Sequence, residues 1–221
     1  KLIPATRGKI YVDGKDIDGY PVEELRKGIG YVVQSIGLFP HMTVEHSIGA
    51  VPKLLKWGKS AIRRRTEEML EMVGLDVASY IGKFPHELSG GEAQRVGVAR
   101  ALAANPRTIL MDEPFGAVDP LNRKRLQNEF LKIQREVKKT VVFVTHDVEE
   151  AIRMGDKIAI MNRGVLEECD TPEGLILRNS NPFIKSFLGK ECAIKILSKY
   201  TLGAVMDRSR PDVPGESYLS E

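Results

Sequence analysis

The fold of this chain is decided by the stretch Thr108-Ile-Leu-Met-Asp-Glu-Pro-Phe-Gly-Ala-Val-Asp-Pro120. Residues 108–111 are apolar or β-branched, and the proline that follows Glu113 cannot continue a hydrogen-bonded ladder, so the pattern predicts a central parallel strand. Ligands of open α/β sheets bind beyond the carboxyl ends of the strands, where Asp112 and Glu113 fall. Two carboxylates at this point suit a hard cation that carries phosphates. The same two residues could instead be solvated acids that end a strand without binding a ligand. The neighbouring segments favour the ligand site.

Composition limits the class of protein. The chain has 221 residues, of which 42% are hydrophobic and 29% are charged, enough for one sizeable α/β core. The net charge is only +3, so we expect no nucleic-acid partner. Two basic runs, 63–65 and 123–125, are expected to face solvent on helices. Cys169 and Cys192 lack metal-ligand spacing and are expected to be reduced thiols. No apolar stretch is long enough to cross a membrane.

Two further segments are predicted to be strands that end in a polar side chain. Residues 28–33 form an apolar run before Gln34, whose amide can bind both a metal-bound water and a phosphate oxygen. Residues 140–145 read as a buried strand before His146, on the same sheet edge as Asp112. Gln34 taken alone could equally end a strand without a function, and a lone histidine at a strand end is more often structural. The Asp13-Gly14 dipeptide predicts a tight β-hairpin within residues 8–17.

An all-helical insert is predicted between the strands. Residues 43–55 and 60–73 have helical patterns, the second with Ser60 as its N-cap and Gly74 as its stop. Gly58-Lys59-Ser60 resembles the end of a phosphate-binding P-loop. Lys53 stands where that loop needs its first glycine, so we interpret the tripeptide as a helix connection. The loop 36–43 carries several large apolar side chains, which is typical of a docking surface.

A second phosphate-binding pattern is Leu88-Ser-Gly-Gly-Glu-Ala-Gln-Arg95, which opens a helix that runs through Ala104. Free amides at a helix N-terminus, together with Ser89, make an anion site, and the glycines allow close approach of a ligand. A Gly-Gly helix start alone is usually only a cap. Asp112 and Glu113 follow about twenty residues later, and chance is a poor explanation for both patterns in one chain.

Together these motifs resemble the nucleotide-binding subunit of ABC transporters, over residues 7–189. The segment 88–95 resembles the signature motif, with Glu92 where many members have glutamine, and 109–113 resembles Walker B. The segment 116–119 resembles the D-loop. Gln34 and His146 resemble the Q-loop glutamine and the switch histidine. The implied fold is α/β, a P-loop NTPase-like ABC ATPase core with a mostly parallel sheet, a helical insert at about 43–104 and β-hairpins, incomplete at the N-terminus.

The resemblance also implies a site. ATP and Mg²⁺ would be the cofactors, with Asp112 and Gln34 at the metal, Glu113 orienting or deprotonating the attacking water, and Gln34 and His146 assisting catalysis. A second ATPase subunit, packed head to tail, would receive its nucleotide contacts from the signature and D-loop residues Ser89, Gly90, Gly91, Glu92 and Asp119.

Three segments, 34–44, 51–55 and 84–88, carry a narrower resemblance. They resemble the ATPases of quaternary-amine importers, which take up glycine betaine, carnitine or choline. Such a subunit would lie at the cytoplasmic face of the cell membrane and would dock onto a permease through Ile36, Leu38 and Phe39. The alternatives are an importer ATPase for another small solute, a degenerate non-catalytic docking cassette, and an ABC ATPase of DNA repair or translation. The last class would carry a long coiled-coil insertion or a second cassette.

The two ends of the sequence carry separate expectations. Residues 2–8 resemble the region just after the P-loop helix, so we expect the ATPase domain, 1–190, to lack its N-terminal strands and P-loop. Without the phosphate cradle, the chain as given is expected neither to bind nor to hydrolyse ATP appreciably. Residues 191–221 read as a linker, and their last part resembles the opening of a cystathionine-β-synthase-type (CBS) regulatory domain. A flexible Pro/Gly linker is the alternative.

Overall fold

The computed structural model describes residues 3–34, 37–116, 118–177, 181–184 and 186–188. These residues fall into two compact units, one that ends at Val144 and one that begins at Thr145. None of the helices in the described ranges is both long and apolar enough to cross a membrane. Ile36, Cys192 and the tail 191–221 lie outside the described residues.

The first unit contains a two-stranded hairpin, a three-stranded sheet and a series of helices. Its elements, in chain order, are β1 (Tyr11–Val12), β2 (Lys15–Asp16), α1 (Val22–Lys27), β3 (Ile29–Val32), α2 (Val44–Leu54), α3 (Lys59–Met72), α4 (Val77–Tyr80), α5 (Gly90–Ala103), β4 (Thr108–Asp112), α6 (Pro120–Val137) and β5 (Thr140–Val144). Single turns of 3₁₀-helix occur at Ile17–Gly19 and Pro85–Glu87. The hairpin β1–β2 turns at Asp13-Gly14, where both φ angles are positive, as the sequence predicts.

The sheet is parallel, with β4 in the centre. β3 pairs with β4, and β4 pairs with β5 in a register that sets Asp112 opposite Val144. Ile109 and Met111 are almost fully buried, which confirms the prediction of a central strand. The prediction of a buried strand at 140–145 is wrong, because β5 is the outer strand of this described sheet and leaves Val144 55% exposed.

Several helix boundaries follow local capping chemistry. The Thr43 side chain accepts a hydrogen bond from the His46 amide and starts α2. Helix α3 ends before Gly74, whose φ of 68° is the left-handed conformation that glycine accepts readily. The prediction of Ser60 as the N-cap of α3 is wrong, since Gly58 occupies that position. Gly58-Lys59-Ser60 follows a helix instead of a strand, in agreement with a helix connection.

Close packing fixes α5 on the sheet. A side chain on Gly30 of β3 would bring its Cβ to 2.5 Å from the Ala101 carbonyl oxygen of α5, so only glycine fits there. At the end of α5, Arg65 from α3 donates to the carbonyl oxygens of Leu102 and Ala103. The expectation that both basic runs face solvent is therefore wrong for Arg65, because its guanidinium donates to two of the last carbonyls of α5.

The second unit contains a hairpin between two helices. Its elements are α7 (Val148–Met154), β6 (Ile158–Asn162), β7 (Val165–Asp170) and α8 (Pro172–Leu177). A small core joins the hairpin to the helical residues that follow it, and its buried members are Ile160, Leu175, Ile184 and Leu188. The Thr171 hydroxyl accepts from the Gly174 amide and starts α8, which has Pro172 as its first residue. Cys169 is an exposed free thiol.

Candidate functional site

The turn after β4 holds its first residue in an uncommon conformation. Glu113 has a φ of 41°, a left-handed value that costs a residue with a side chain roughly 1–2 kcal/mol. The Glu113 amide donates to the Val144 carbonyl at 2.9 Å, and the Gly116 amide donates to the Glu113 carbonyl at 3.0 Å. These two bonds keep the carboxylate-bearing residue bent away from the strand direction. Strain of this kind is concentrated at functional sites.

A buried aromatic ring anchors the same turn. Phe115 is only 3% exposed. Its ring contacts those of Phe130 on α6 and Phe143 on β5, with centroids 6.3 and 6.2 Å away. The energy of burying this ring can offset the strain at Glu113.

The structure brings two of the predicted residues into contact. The Gln34 side-chain Nε2 donates a hydrogen bond of 2.6 Å to Glu113 Oε2, although the two residues are 79 positions apart. The contact arises because β3 and β4 are parallel neighbours, so their carboxyl ends meet at one edge of the sheet. Gln34 uses its amide nitrogen in this bond, which leaves its carbonyl oxygen as an acceptor.

Asp112 is the second acid at this edge of the sheet. It is the last residue of β4 and directly precedes Glu113. It is half-buried. Within the described part of the chain, no group of three or more histidine, cysteine or acidic side chains is placed to hold a metal ion by itself. A cation at this edge would therefore need oxygen atoms from a ligand or from water as well.

Asp119 is the N-cap of α6. Its Oδ1 accepts from the Asn122 amide at 3.1 Å, and its Oδ2 accepts from the Asn122 side chain at 2.9 Å, so it caps the start of α6. Arg123, on the first turn of that helix, donates to the Val118 carbonyl. The prediction that the run 123–125 faces solvent is thus wrong for Arg123, whose guanidinium turns back to the preceding loop.

The start of α5 presents the second group of predicted residues to solvent. Ser89 is the N-cap: its hydroxyl accepts from the Glu92 amide at 3.4 Å, while its own amide donates to Glu92 Oε2 at 2.8 Å. Ser89 and Gly90 are exposed. A Cβ on Gly90 would meet nothing within 4 Å, so no contact with the described residues requires glycine there. A ligand or partner that approaches closely from outside would require it.

Tyr80 joins this group, and the sequence pattern did not indicate it. Its hydroxyl donates to the second oxygen of Glu92, Oε1, at 2.6 Å. The hydrogen bonds from Tyr80 and from the Ser89 amide lower the pKa of Glu92 from 4.5 to about 2. The carboxylate is therefore ionised at neutral pH. A tyrosine ten residues upstream of the glycine pair, across an irregular connection, has no spacing rule that could have singled it out.

Helix α5 also connects the two groups of residues. Arg100 Nη1 donates to the Gly37 carbonyl at 2.6 Å, and burial lowers the pKa of this guanidinium. Ser89 lies eleven residues before Arg100, or roughly 16 Å along the helix axis. The exposed start of α5 thus lies one helix length from the loop that follows Gln34.

The loop after Gln34 exposes part of its apolar surface. Phe39 is 46% exposed, and its ring lies 6.0 Å from that of His41, whereas Leu38 is half-buried. His146 follows β5 and belongs to the second unit, so its participation in the site stays a prediction.

Comparison with known proteins places these features in a family. Residues 1–116 match the family described as ABC transporter. The chain is 44% identical over 219 residues to the osmoprotectant import ATP-binding protein OsmV of Salmonella typhimurium, with 97% of this chain and 57% of that protein covered. It is 47% identical to the glycine betaine/carnitine/choline transport ATP-binding protein OpuCA of Bacillus subtilis, with 96% and 52% covered.

A solved structure supports the same fold. The ATP-binding cassette MJ0796, in a dimeric post-hydrolysis state bound to ADP and Pi, superimposes with a TM-score of 0.64 at 34% identity. The match covers 77% of this chain and 75% of that structure. The chain spans 57% and 52% of the lengths of the two curated relatives named above.

Proposed function

This chain belongs to the ABC transporter family, and on that premise we propose that it supplies ATP-hydrolysing machinery to an importer. The solute would be an osmoprotectant quaternary amine such as glycine betaine, carnitine or choline. The names of two relatives, for osmoprotectant import and for glycine betaine/carnitine/choline transport, support this solute class. An importer of another small solute would use the same chemistry.

The observation that carries the proposal is the hydrogen bond between Gln34 and Glu113 at the carboxyl edge of the sheet. It joins an amide from one strand to a carboxylate held by a strained turn on the next strand. In the proposed reaction, Glu113 orients or deprotonates the water that attacks the terminal phosphate, and His146 senses that phosphate. Phosphoryl transfer depends mainly on positioning and charge neutralisation, which fixed groups of this kind can provide.

The oxygen atoms at this edge fit Mg²⁺. Magnesium prefers oxygen ligands and is usually held by one or two side chains, waters and the substrate phosphates. Asp112 and the carbonyl oxygen of Gln34 would be its protein ligands. The ion would neutralise charge on the phosphates of ATP.

We assign the start of α5 to the nucleotide of a second subunit in a head-to-tail dimer. Ser89, Gly90 and Gly91 would approach the terminal phosphate, with Glu92 and Asp119 shaping the two helix starts beside it. The exposure of Ser89 and Gly90 supports this assignment, as does their separation along α5 from the Gln34 loop. The dimeric state of MJ0796 is consistent with it.

The proposed transmembrane partner is a permease that binds the loop after Gln34. The exposed Phe39 ring, with Leu38 beside it, provides apolar contact area, and Ile36 is included from the sequence pattern. The subunit would then lie peripherally at the cytoplasmic face of the membrane. Phe39→Asp should reduce solute uptake in reconstituted vesicles while nucleotide binding is retained. Tyr11→Asp, at an exposed position of the β1–β2 hairpin, is the matched control, and unchanged uptake for Phe39→Asp would remove this loop from docking.

Hydrolysis itself is tested by Glu113→Gln. The assay uses the chain with a strand and P-loop joined to its amino end, so that the phosphate cradle expected of the family is present. The substitution keeps the shape and removes the base, so ATP should still bind and the steady-state rate should fall more than about tenfold, or ~1.4 kcal/mol. Glu24→Gln on the surface of α1 should leave the rate unchanged. A full rate for Glu113→Gln would favour the alternative of a docking cassette that does not use this carboxylate.

A further inference from the structure

Glu92 is held from two sides at the start of α5. One carboxylate oxygen accepts from the Ser89 amide at 2.8 Å, and the other accepts from the Tyr80 hydroxyl at 2.6 Å. The first contact is local and belongs to a capping box, which is sufficient to begin a helix. The second contact comes from a different helix, α4, and helix initiation does not require it.

The tyrosine is itself fixed from several directions. Asp76 caps α4 by accepting from the Ser79 amide at 2.8 Å. The Lys83 ammonium lies 4.1 Å from the centre of the Tyr80 ring, a cation–π contact. Two backbone bonds tie the end of this segment to α2, from the Val44 amide to the Lys83 carbonyl and from the Glu45 amide to the Ile81 carbonyl.

We propose that Tyr80 is a positioning residue for Ser89: it fixes the Glu92 carboxylate, which holds the Ser89 amide and so orients the serine hydroxyl toward the phosphate of the partner nucleotide. The inference rests on the proposed function. A glutamate side chain has several rotatable bonds, and a capping box restrains it at one oxygen only. The tyrosine restrains the second oxygen, so the orientation of Ser89 is set by two helices instead of one.

The electrostatics agree with this geometry. The hydrogen bond to Glu92 is the largest cause of a raised pKa for the Tyr80 hydroxyl, so the phenol remains protonated and able to donate at physiological pH. The same hydrogen bond lowers the pKa of Glu92, which keeps the acceptor charged at neutral pH. A neutral donor with a charged acceptor is one of the stronger hydrogen bonds in proteins.

Tyr80→Phe tests the proposal, because it removes one oxygen atom and keeps the ring and its contact with Lys83. In the chain as it stands, amide hydrogen exchange measured by NMR should become about tenfold faster at Ser89, as expected for loss of a charge-assisted bond. The urea unfolding midpoint should stay close to that of the unsubstituted chain. Tyr31→Phe, at an exposed tyrosine on β3, is the control and should leave the exchange rate at Ser89 unchanged.

The functional arm uses the chain with a P-loop joined to its amino end. Tyr80→Phe should lower kcat about tenfold with little change in KM, because a contact made to the reacting phosphate acts on the transition state. In a Ser89→Ala background the same substitution should have no further effect on kcat. Such non-additivity separates positioning of Ser89 from general support of the fold, which would lower kcat equally in both backgrounds.

The outcomes distinguish this inference from the proposed function. Unchanged exchange at Ser89 would overturn the positioning contact whatever the enzyme does. Faster exchange with an unaltered kcat, or an equal loss of kcat in the Ser89→Ala background, would overturn the positioning role. If Glu113→Gln retained full hydrolysis, the proposed function would fail, and the exchange measurement would still decide whether Tyr80 holds Ser89 through Glu92.

Discussion

The turn after β4 and the start of α5 both carry residues that we assign to phosphate chemistry, yet different forces hold them. In the turn, Phe115 is packed against two aromatic rings, and backbone hydrogen bonds keep Glu113 in a left-handed conformation. At the start of α5, Ser89 is exposed and is held by hydrogen bonds to Glu92, which Tyr80 supports in turn.

Buried packing therefore holds the turn after β4, whereas hydrogen bonds at the surface hold the start of α5. Burial of an aromatic side chain contributes several kilocalories per mole and responds weakly to pH. A surface network of capping bonds contributes about 1 kcal/mol per bond and depends on the ionisation of its carboxylate. The turn should therefore be sensitive to loss of packing, and the start of α5 should be sensitive to acid.

The largest effect is expected for Phe115→Ala. The cavity left between Phe130 and Phe143 should lower the free energy of unfolding by about 3–5 kcal/mol. Urea unfolding followed by circular dichroism would measure it. Phe39→Ala, at a ring that is 46% exposed, is the control and should change the unfolding free energy by no more than about 0.5 kcal/mol. Similar losses for the two variants would contradict a packed anchor under the turn.

A smaller effect is expected from the backbone strain at Glu113. Glu113→Gly should be more stable than Glu113→Ala by about 1 kcal/mol, because glycine accepts a φ of 41° without a Cβ clash. Neither variant has the carboxylate, so the difference isolates the backbone. At Glu24, within α1, the order should reverse, since glycine destabilises a helix. If the alanine variant at position 113 were the more stable, the strain would be absent in solution.

The smallest effect concerns pH and Glu92. Its pKa in the folded chain is about 2, compared with an ordinary 4.5, so its stabilising contribution is complete above pH 4.5. The contribution declines as the pH falls and is lost by about pH 2. Solvent screens the carboxylate, so we expect no more than about 1 kcal/mol.

The difference in unfolding free energy between the unsubstituted chain and Glu92→Gln isolates this contribution. It should be constant near neutral pH and should shrink through the acidic window. Glu87→Gln is the control for the removal of a nearby charge. Glu87 lies in the preceding 3₁₀ turn and accepts a hydrogen bond from the Phe84 amide. A difference that grows with acidification would have the wrong sign for a lowered pKa.

Local patterns in the sequence predicted much of this arrangement. The apolar run before Asp112 indicated the central strand, and the apolar run before Gln34 indicated a second strand that ends in a polar residue. The serine–glycine pair indicated the start of α5. These predictions hold because strand length, turn residues and helix caps depend on residues that are close in sequence.

Other features required knowledge of neighbours that are distant in sequence. The exposure of β5 follows from its place at the side of the described sheet. The inward turn of Arg65 follows from the carbonyl oxygens that the end of α5 presents to it. Gly58 displaces the expected Ser60 as a helix cap. The role of Tyr80 depends on how α4 lies against α5, which no periodicity encodes.

The sequence by itself determined which groups are available for chemistry: two acids after an apolar strand, an amide after another, and a serine with two glycines before a helix. The tertiary structure alone decided which groups meet, because only parallel pairing of β3 and β4 brings Gln34 to Glu113. It alone also decided what holds them, a buried ring beneath one group and a tyrosine from a separate helix beside the other. Residue type sets the chemistry of a side chain, whereas distance and orientation between segments that are far apart in sequence arise only from packing.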